Sequence, residues 1–152
     1  MSVTSMRRAL LAALLIACLG APSSAFGSSR HDSTEAGIIR AMNGVRASHG
    51  LPSLHTNRGL ARAADAHSKA MQRTNSLGHG AYAKRIRRYV RTKRAGENVA
   101  WMAGCNASAI VNMWLRSAPH RRVMLSKSFR RIGVARRGSR KCFVTADFAT
   151  AR

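Results

Sequence analysis

The sequence predicts an α+β domain, with helices packed on the faces of a small, mainly antiparallel sheet, and three observations predict it. Apolar residues recur at helical spacing through the first part of the chain, from Ile38 to Met71. A further helical segment begins near Asn106, and the last part of the chain then turns to alternating, strand-like patterning. Helices gathered ahead of strands favour segregated layers over a parallel sheet with regularly interleaved helices. About 127 residues remain once a leader is removed, enough for one real core and too few for two.

Residues 1–25 have the three parts of a secretory signal peptide. Arg7 and Arg8 lead into the apolar run Ala9–Leu19, and Ala21-Pro22-Ser23-Ser24-Ala25 supplies small residues for cleavage. That run is shorter than the roughly 20 apolar residues a spanning helix needs. The expectation is therefore a secreted, extracellular protein rather than one held by an N-terminal transmembrane helix. Leu15-Ile16-Ala17-Cys18 also has the form of a bacterial lipobox. The alternative is thus a lipoprotein signal ending before Cys18, which would leave the chain lipid-anchored at the cell envelope. Leu19 after the cysteine and the good Ser-x-Ala site beyond it favour cleavage after Ala25.

Ser and Gly between Phe26 and Asp32 predict a flexible lead-in over residues 26–33, with the domain over residues 34–152. Ser33 or Thr34 can cap a first helix, whose face is Ile38, Ile39, Met42 and Val45 and whose end is set by Gly50 and Pro52. Asn57 can cap a second, in which Leu60, Ala63, Ala64, His67 and Met71 share one side to about Arg73. The irregular stretch from Asn75 to Gly96 holds Gly78-His79-Gly80 and a basic segment with Ile86, Tyr89 and Val90 as a narrow apolar stripe. That pattern predicts a short surface helix with a solvated basic face, or a contact for a polyanion or membrane. Glu97-Asn98-Val99-Ala100-Trp101 is a short apolar run. The next helix buries Ile110, Val111, Trp114 and Leu115 until Pro119 breaks it. Ile132 and Val134, then Cys142, Val144, Ala146 and Phe148 across Gly138-Ser139-Arg140, predict a hairpin.

The chain carries 27 Lys and Arg against 5 Asp and Glu, a formal charge of +22. Without Arg7 and Arg8 the mature chain stands at about +20, which favours polyanions such as anionic envelope polymers, lipid headgroups or nucleic acid. Export argues against nucleic acid as a physiological partner. So does the small aromatic complement of two Trp, two Tyr and four Phe, which is not interleaved with the basic residues. Arginine dominates the excess, and a genomic bias toward arginine would produce it as well. Cys105 and Cys142 in an oxidising compartment predict one disulfide. It would close a loop of about 38 residues and contribute on the order of 3 to 4 kcal/mol.

Acids are scarce enough that each is informative. After the leader they are Asp32, Glu35, Asp65, Glu97 and Asp147. Glu97, between Gly96 and Asn98 beside an apolar run, is expected to be partly buried and to need a cationic, metallic or hydrogen-bonding partner. His79, flanked by glycines, and His120, after Pro119, lie on segments that can line a cleft. His67 is expected to pack in the core, with Asp65 on another face of its helix. His31, His49 and His55 fall in predicted loops. Imidazole with carboxylate is a legitimate zinc donor set, yet the chain has no H-E-x-x-H and no C-x-x-C.

Several motifs occur in an order that resembles one family. They are Asn43-x-x-Arg46, Leu60-x-x-Ala63-Ala64-x-x-His67-x-x-x-Met71, His79, Gly96-Glu97-Asn98-Val99-Ala100, Trp114-x-x-Ser117-x-Pro119-His120-Arg121 and Ile132-Gly133-Val134. Over nearly all of residues 34–149 the chain resembles the CAP superfamily (cysteine-rich secretory protein, antigen 5, pathogenesis-related 1), in its bacterial branch of SCP-like extracellular proteins of the YkwD type.

The resemblance implies an α-β-α sandwich in which two His and two acids surround a central cleft that can bind a divalent metal, often zinc. Carried over, His79, Glu97 and His120 are the candidate metal ligands. Ser117 stands where animal and plant members place the second acid, so zinc would be weakly bound. Asn98, Trp114 and Arg121 would support the cleft. Asn98 would tie loop backbone together, Trp114 would pack under the cleft, and Arg121 would neutralise Glu97 or a neighbouring carbonyl. The implied function is non-enzymatic binding of a cleft ligand, a metal, an anionic cell-envelope polymer or a lipid. The alternative is a metal-dependent, peptidase-like extracellular hydrolase using the same cleft. No nucleophile is placed for that, since Ser117 lacks the G-x-S-x-G elbow.

Overall fold

A computed structural model describes residues 32–151. The predicted signal peptide, the Cys18 lipobox, the first part of the lead-in and His31 lie outside the described residues. The elements are α1 (Asp32–Ser48), β1 (His55–Thr56), α2 (Arg58–Thr74), α3 (Tyr82–Tyr89), β2 (Ala95–Ala103), α4 (Ala107–Arg116), α5 (Ala118–Met124), β3 (Phe129–Arg137) and β4 (Lys141–Thr150). The strands form one sheet in the order β1-β3-β4-β2, antiparallel except for the two-residue parallel pairing of β1 with β3. Helices cover both faces, giving the α-β-α sandwich.

Side-chain alternation on β4 shows how the layers form. Cys142, Val144, Ala146 and Phe148 point into the larger core with Ile38, Met42, Ile110, Trp114 and Met124, on the α1, α4 and α5 side. Phe143 and Ala149 point the other way, the first meeting Met71 of α2 and the second meeting Leu60 and Ala63 of α2 and Ile86 of α3. Thr145 belongs to that same side, where it accepts a hydrogen bond from Ser68 at 2.9 Å. Both faces of this strand are therefore dry. Gly133 on β3 lets α2 come close, because a Cβ there would stand 2.1 Å from the Ala61 backbone nitrogen.

Local signals account for most boundaries. Asn57 accepts a bond from the Leu60 amide and caps α2, which ends at Asn75 in the left-handed region. Asn106 caps α4 in the same way through Ala109. Two boundaries differ from expectation. α1 is already helical at Asp32, ahead of the start expected from a cap at Ser33 or Thr34. α4 ends at Arg116, ahead of Pro119, and the proline sits in the first turn of α5, where its missing N–H costs nothing. The Cys105–Cys142 disulfide, with Cα atoms 5.6 Å apart, ties the end of β2 to the start of β4.

Candidate functional site

β2 is the edge strand, so α3 on one face and α5 on the other reach its free side. Glu97 lies there opposite Asp147 of β4, and alternation puts both side chains on the dry face toward α2 and α3. Two carboxylates so placed need partners. Glu97 Oε1 lies 2.8 Å from His79 Nδ1. Glu97 Oε2 takes a hydrogen bond from Arg85 Nη2, and the same nitrogen donates to Asp147 Oδ1 at 3.0 Å. Both carboxylate side chains are fully buried, and Arg85 is 14% exposed.

His67 is part of this cluster as well as of its helix. Its Nε2 meets the Gly78 carbonyl at 2.7 Å and lies 3.6 Å from Glu97 Oε2. The helix face that carries Leu60 and Ala64 delivers it there, so a residue expected to be packing alone also fixes the loop bearing His79. His120 sits on α5, its ring centre 6.2 Å from that of His79. The Asn98 side chain donates to the His120 carbonyl at 3.1 Å and so ties α5 to β2. His120 Nδ1 and Asn98 Oδ1 are both buried without a hydrogen-bond partner. Trp114 is fully buried and donates to the Val99 carbonyl at 3.0 Å. Arg121 donates to the Leu115 carbonyl at 3.0 Å, and it is Arg85 that neutralises Glu97. Ser117 precedes α5 and makes no side-chain cap.

Arg85 and Asp147 are the residues that sequence reasoning missed. Arg85 was one cation in a basic run, distinguished only by its place next to Ile86, which is fully buried. Asp147 broke an apolar strand, and in a strand covered on both faces an acid cannot reach water.

One guanidinium faces two buried carboxylates, so at neutral pH one of them keeps a proton. Burial pushes Asp147 up to about 8, the Glu97 charge adding to the rise and Arg85 opposing it. Burial lowers His67, with the Glu97 charge partly offsetting it, and burial followed by the neighbouring His79 lowers His120.

These shifts predict a two-sided pH dependence. An unfolded Asp titrates near about 3.9, so between roughly pH 4 and 8 folded Asp147 holds a proton that the unfolded chain releases, and its contribution to stability falls as pH rises. The slope for one proton is about 1.4 kcal/mol per pH unit. The two histidines act oppositely: they are neutral when folded, and stability is lost as pH falls below about 6.5, where the unfolded imidazoles charge. Asp147→Asn should flatten the decline of the urea midpoint from pH 6.5 toward 8 and leave the acid-side decline in place. An unchanged profile in that variant would mean that Asp147 is ionised in the fold.

As arranged, Glu97 is not free to serve as a ligand to a divalent ion. Both Glu97 oxygens are engaged by His79 and Arg85, and a fixed positive charge already lies on the carboxylates. Among the described residues no group of three His, Cys, Asp or Glu side chains is placed to hold a metal.

The model of the cysteine-rich secretory protein family matches residues 39–148, a span that contains the whole cluster from His67 to Asp147. The chain belongs to the CAP family. It is 31% identical over 107 residues to the uncharacterized membrane protein YlbC of Bacillus subtilis (strain 168), a match covering 66% of this chain and 31% of that one. An extracellular SCP-domain protein of Bacillus anthracis str. Ames superposes with a TM-score of 0.73 at 29% identity, over 80% of this chain and 41% of that one. The cysteine-rich secretory protein SAV1118 of Staphylococcus aureus subsp. aureus Mu50 shares the fold, with a TM-score of 0.71 at 18% identity over 81% and 40%. The CAP chain described here thus spans less than half the length of each of these three relatives. Among the described residues no helix is long and apolar enough to cross a membrane.

Proposed function

We propose that this CAP domain works outside the cytoplasm as a binding module, taking an anionic envelope polymer at the cleft and its basic rim. The supporting observation is that Glu97 has no oxygen free to act as a base, while the rim beside it is cationic. A groove of about 700 Å³ runs along the start of α3 from Gly80 and Ala81 past Lys84, Arg87 and Arg88. Among the described residues no carboxylate pairs with those three cations. Glu35 faces Arg136, Asp65 pairs with Arg137, and Glu97 and Asp147 are spent on Arg85. A hydrolase reading would need a free base or a metal-activated water, and Glu97, with both oxygens engaged, is not a free base.

The test is binding of the purified protein to a poly(glycerol phosphate) chain and to a neutral glucan of equal length, across a salt series. Salt-sensitive binding to the phosphate polymer alone, weakened at least tenfold in Lys84→Gln/Arg87→Gln/Arg88→Gln, is the expected result. Equal affinity for both polymers, or an unaffected triple variant, would refute it. Turnover of peptide or wall substrates lost in a folded His120→Ala variant would favour the hydrolase.

A further inference from the structure

Two guanidinium groups meet at one carbonyl oxygen on the connection between α5 and β3. Arg46, fully buried in the last turn of α1, donates to the Phe129 carbonyl from Nη2 at 3.3 Å, and Arg130 donates to it from Nη1 at 3.2 Å. Arg46 gives its other bonds to the carbonyls of Pro52, Met124 and Ser126, and Arg130 gives its other bond to that of Lys127. Among the described side chains no carboxylate reaches either: Glu35 faces Arg136, Asp65 pairs with Arg137, and Glu97 and Asp147 share Arg85. A cation held in a dry setting by peptide dipoles alone gains from an anion brought alongside. Arg130 also lines a groove of about 420 Å³ with Lys93, Arg94, Lys127 and Ser128. Arg94 donates to Ser128 Oγ at 3.1 Å, which holds its guanidinium between the start of β2 and the α5–β3 connection.

We propose that this groove is a phosphate site, taking one phosphodiester group of a linear anionic polymer as the counter-charge that Arg46 and Arg130 lack within the fold. Guanidinium and ammonium donors beside a hydroxyl are the groups that recognise a phosphate oxygen. The polymer as its source rests on the reading of the α3 rim given above, and the two stretches adjoin. Arg87 of α3 donates to the Lys93 carbonyl at 3.5 Å, and a neighbouring groove lined by Arg91, Thr92 and Lys93 shares Lys93 and Ala151 with this one. A chain seated on α3 thus presents its next units to the groove at high effective concentration. A lipid surface fits less well, because the lining carries no apolar side chain larger than that of Ala151 and offers nothing to insert among acyl chains.

The experiment pairs thermal melts in inorganic phosphate and in chloride of equal ionic strength with binding of poly(glycerol phosphate) at constant salt. The proteins are wild type, Arg94→Gln/Lys127→Gln, the α3 variant Lys84→Gln/Arg87→Gln/Arg88→Gln, and Lys69→Gln/Arg73→Gln, which removes two exposed cations one turn apart on α2. In phosphate at about ten times its dissociation constant, the Tm of wild type and of the α3 variant should rise about 3 °C more than that of Arg94→Gln/Lys127→Gln. The general salting effect of phosphate is common to all the proteins and cancels in that difference. Polymer affinity should fall at least tenfold in Arg94→Gln/Lys127→Gln and less than twofold in Lys69→Gln/Arg73→Gln. An equal phosphate response in wild type and Arg94→Gln/Lys127→Gln would overturn the site. A phosphate response confined to the groove, with polymer affinity unchanged in that variant, would overturn the polymer as its source. So would binding to phosphatidylglycerol vesicles, but not to the polymer, that the same variant loses. Failure of the rim reading shows separately, as unchanged polymer affinity in the α3 variant. Should Arg94→Gln/Lys127→Gln fail to fold, Lys127→Gln alone is read by the same criteria.

Discussion

Arg46→Met should destabilise the domain by about 3 to 5 kcal/mol, a loss comparable with the whole margin of many domains this size. Arg46 sits in the last turn of α1 with no exposed surface. Its guanidinium donates to the carbonyls of Pro52 at 3.0 Å, Met124 at 2.6 Å, Ser126 at 3.1 Å and Phe129 at 3.3 Å. None of those partners is a carboxylate. The buried charge is held by peptide dipoles, and burial lowers its pKa from the ordinary arginine value. These bonds tie the end of α1 to the turn before β1 and to the connection between α5 and β3. Methionine fills similar space and leaves those carbonyls without donors in a dry setting. Urea unfolding followed by circular dichroism measures the loss, and Arg46→Lys should recover less than half of it, since an ammonium cannot span the fork. A loss below about 1 kcal/mol would show that water reaches the carbonyls.

Arg46 also shows what the sequence could and could not disclose. As a residue of Asn43-x-x-Arg46 it was legible as part of a motif, and Asn43 makes a local bracket on Leu54 that reads naturally from a turn. The caps Asn57 and Asn106, the hairpin, the α2 face and the disulfide all rest on local spacing, and local spacing is what a chain displays. The role of Arg46 depends on carbonyls more than 75 residues away. Arg85 and Asp147 were hidden for the same reason: they meet across 62 residues, and only the finding that β4 is covered on both faces makes the pairing necessary. His67 was misjudged because helical periodicity reports that a side chain points inward without reporting what it meets there. The third helix shows the converse, since its stripe predicted Tyr89 as apolar contact and Tyr89 is 42% exposed.

Trp114→Ala should cost about 3 to 5 kcal/mol in global stability, the range for truncating a large buried aromatic. Trp114 is among the largest fully buried side chains of the domain and lies in the core between α1, α4 and the sheet. Its ring fills space, and its Nε1 holds the Val99 carbonyl of β2. That contact is two residues from Glu97 along a strand that, among the described residues, has no neighbour beyond it. The cavity therefore forms under the strand that presents the cleft. Both the urea midpoint and cleft binding should fall, and binding should fall only to the extent that the folded population does. Trp114→Phe keeps most of the volume, loses the single hydrogen bond, and should cost about 1 to 2 kcal/mol. A Trp114→Ala protein of wild-type stability with weakened polymer binding would reverse the assignment, making the tryptophan a ligand contact rather than the support of β2.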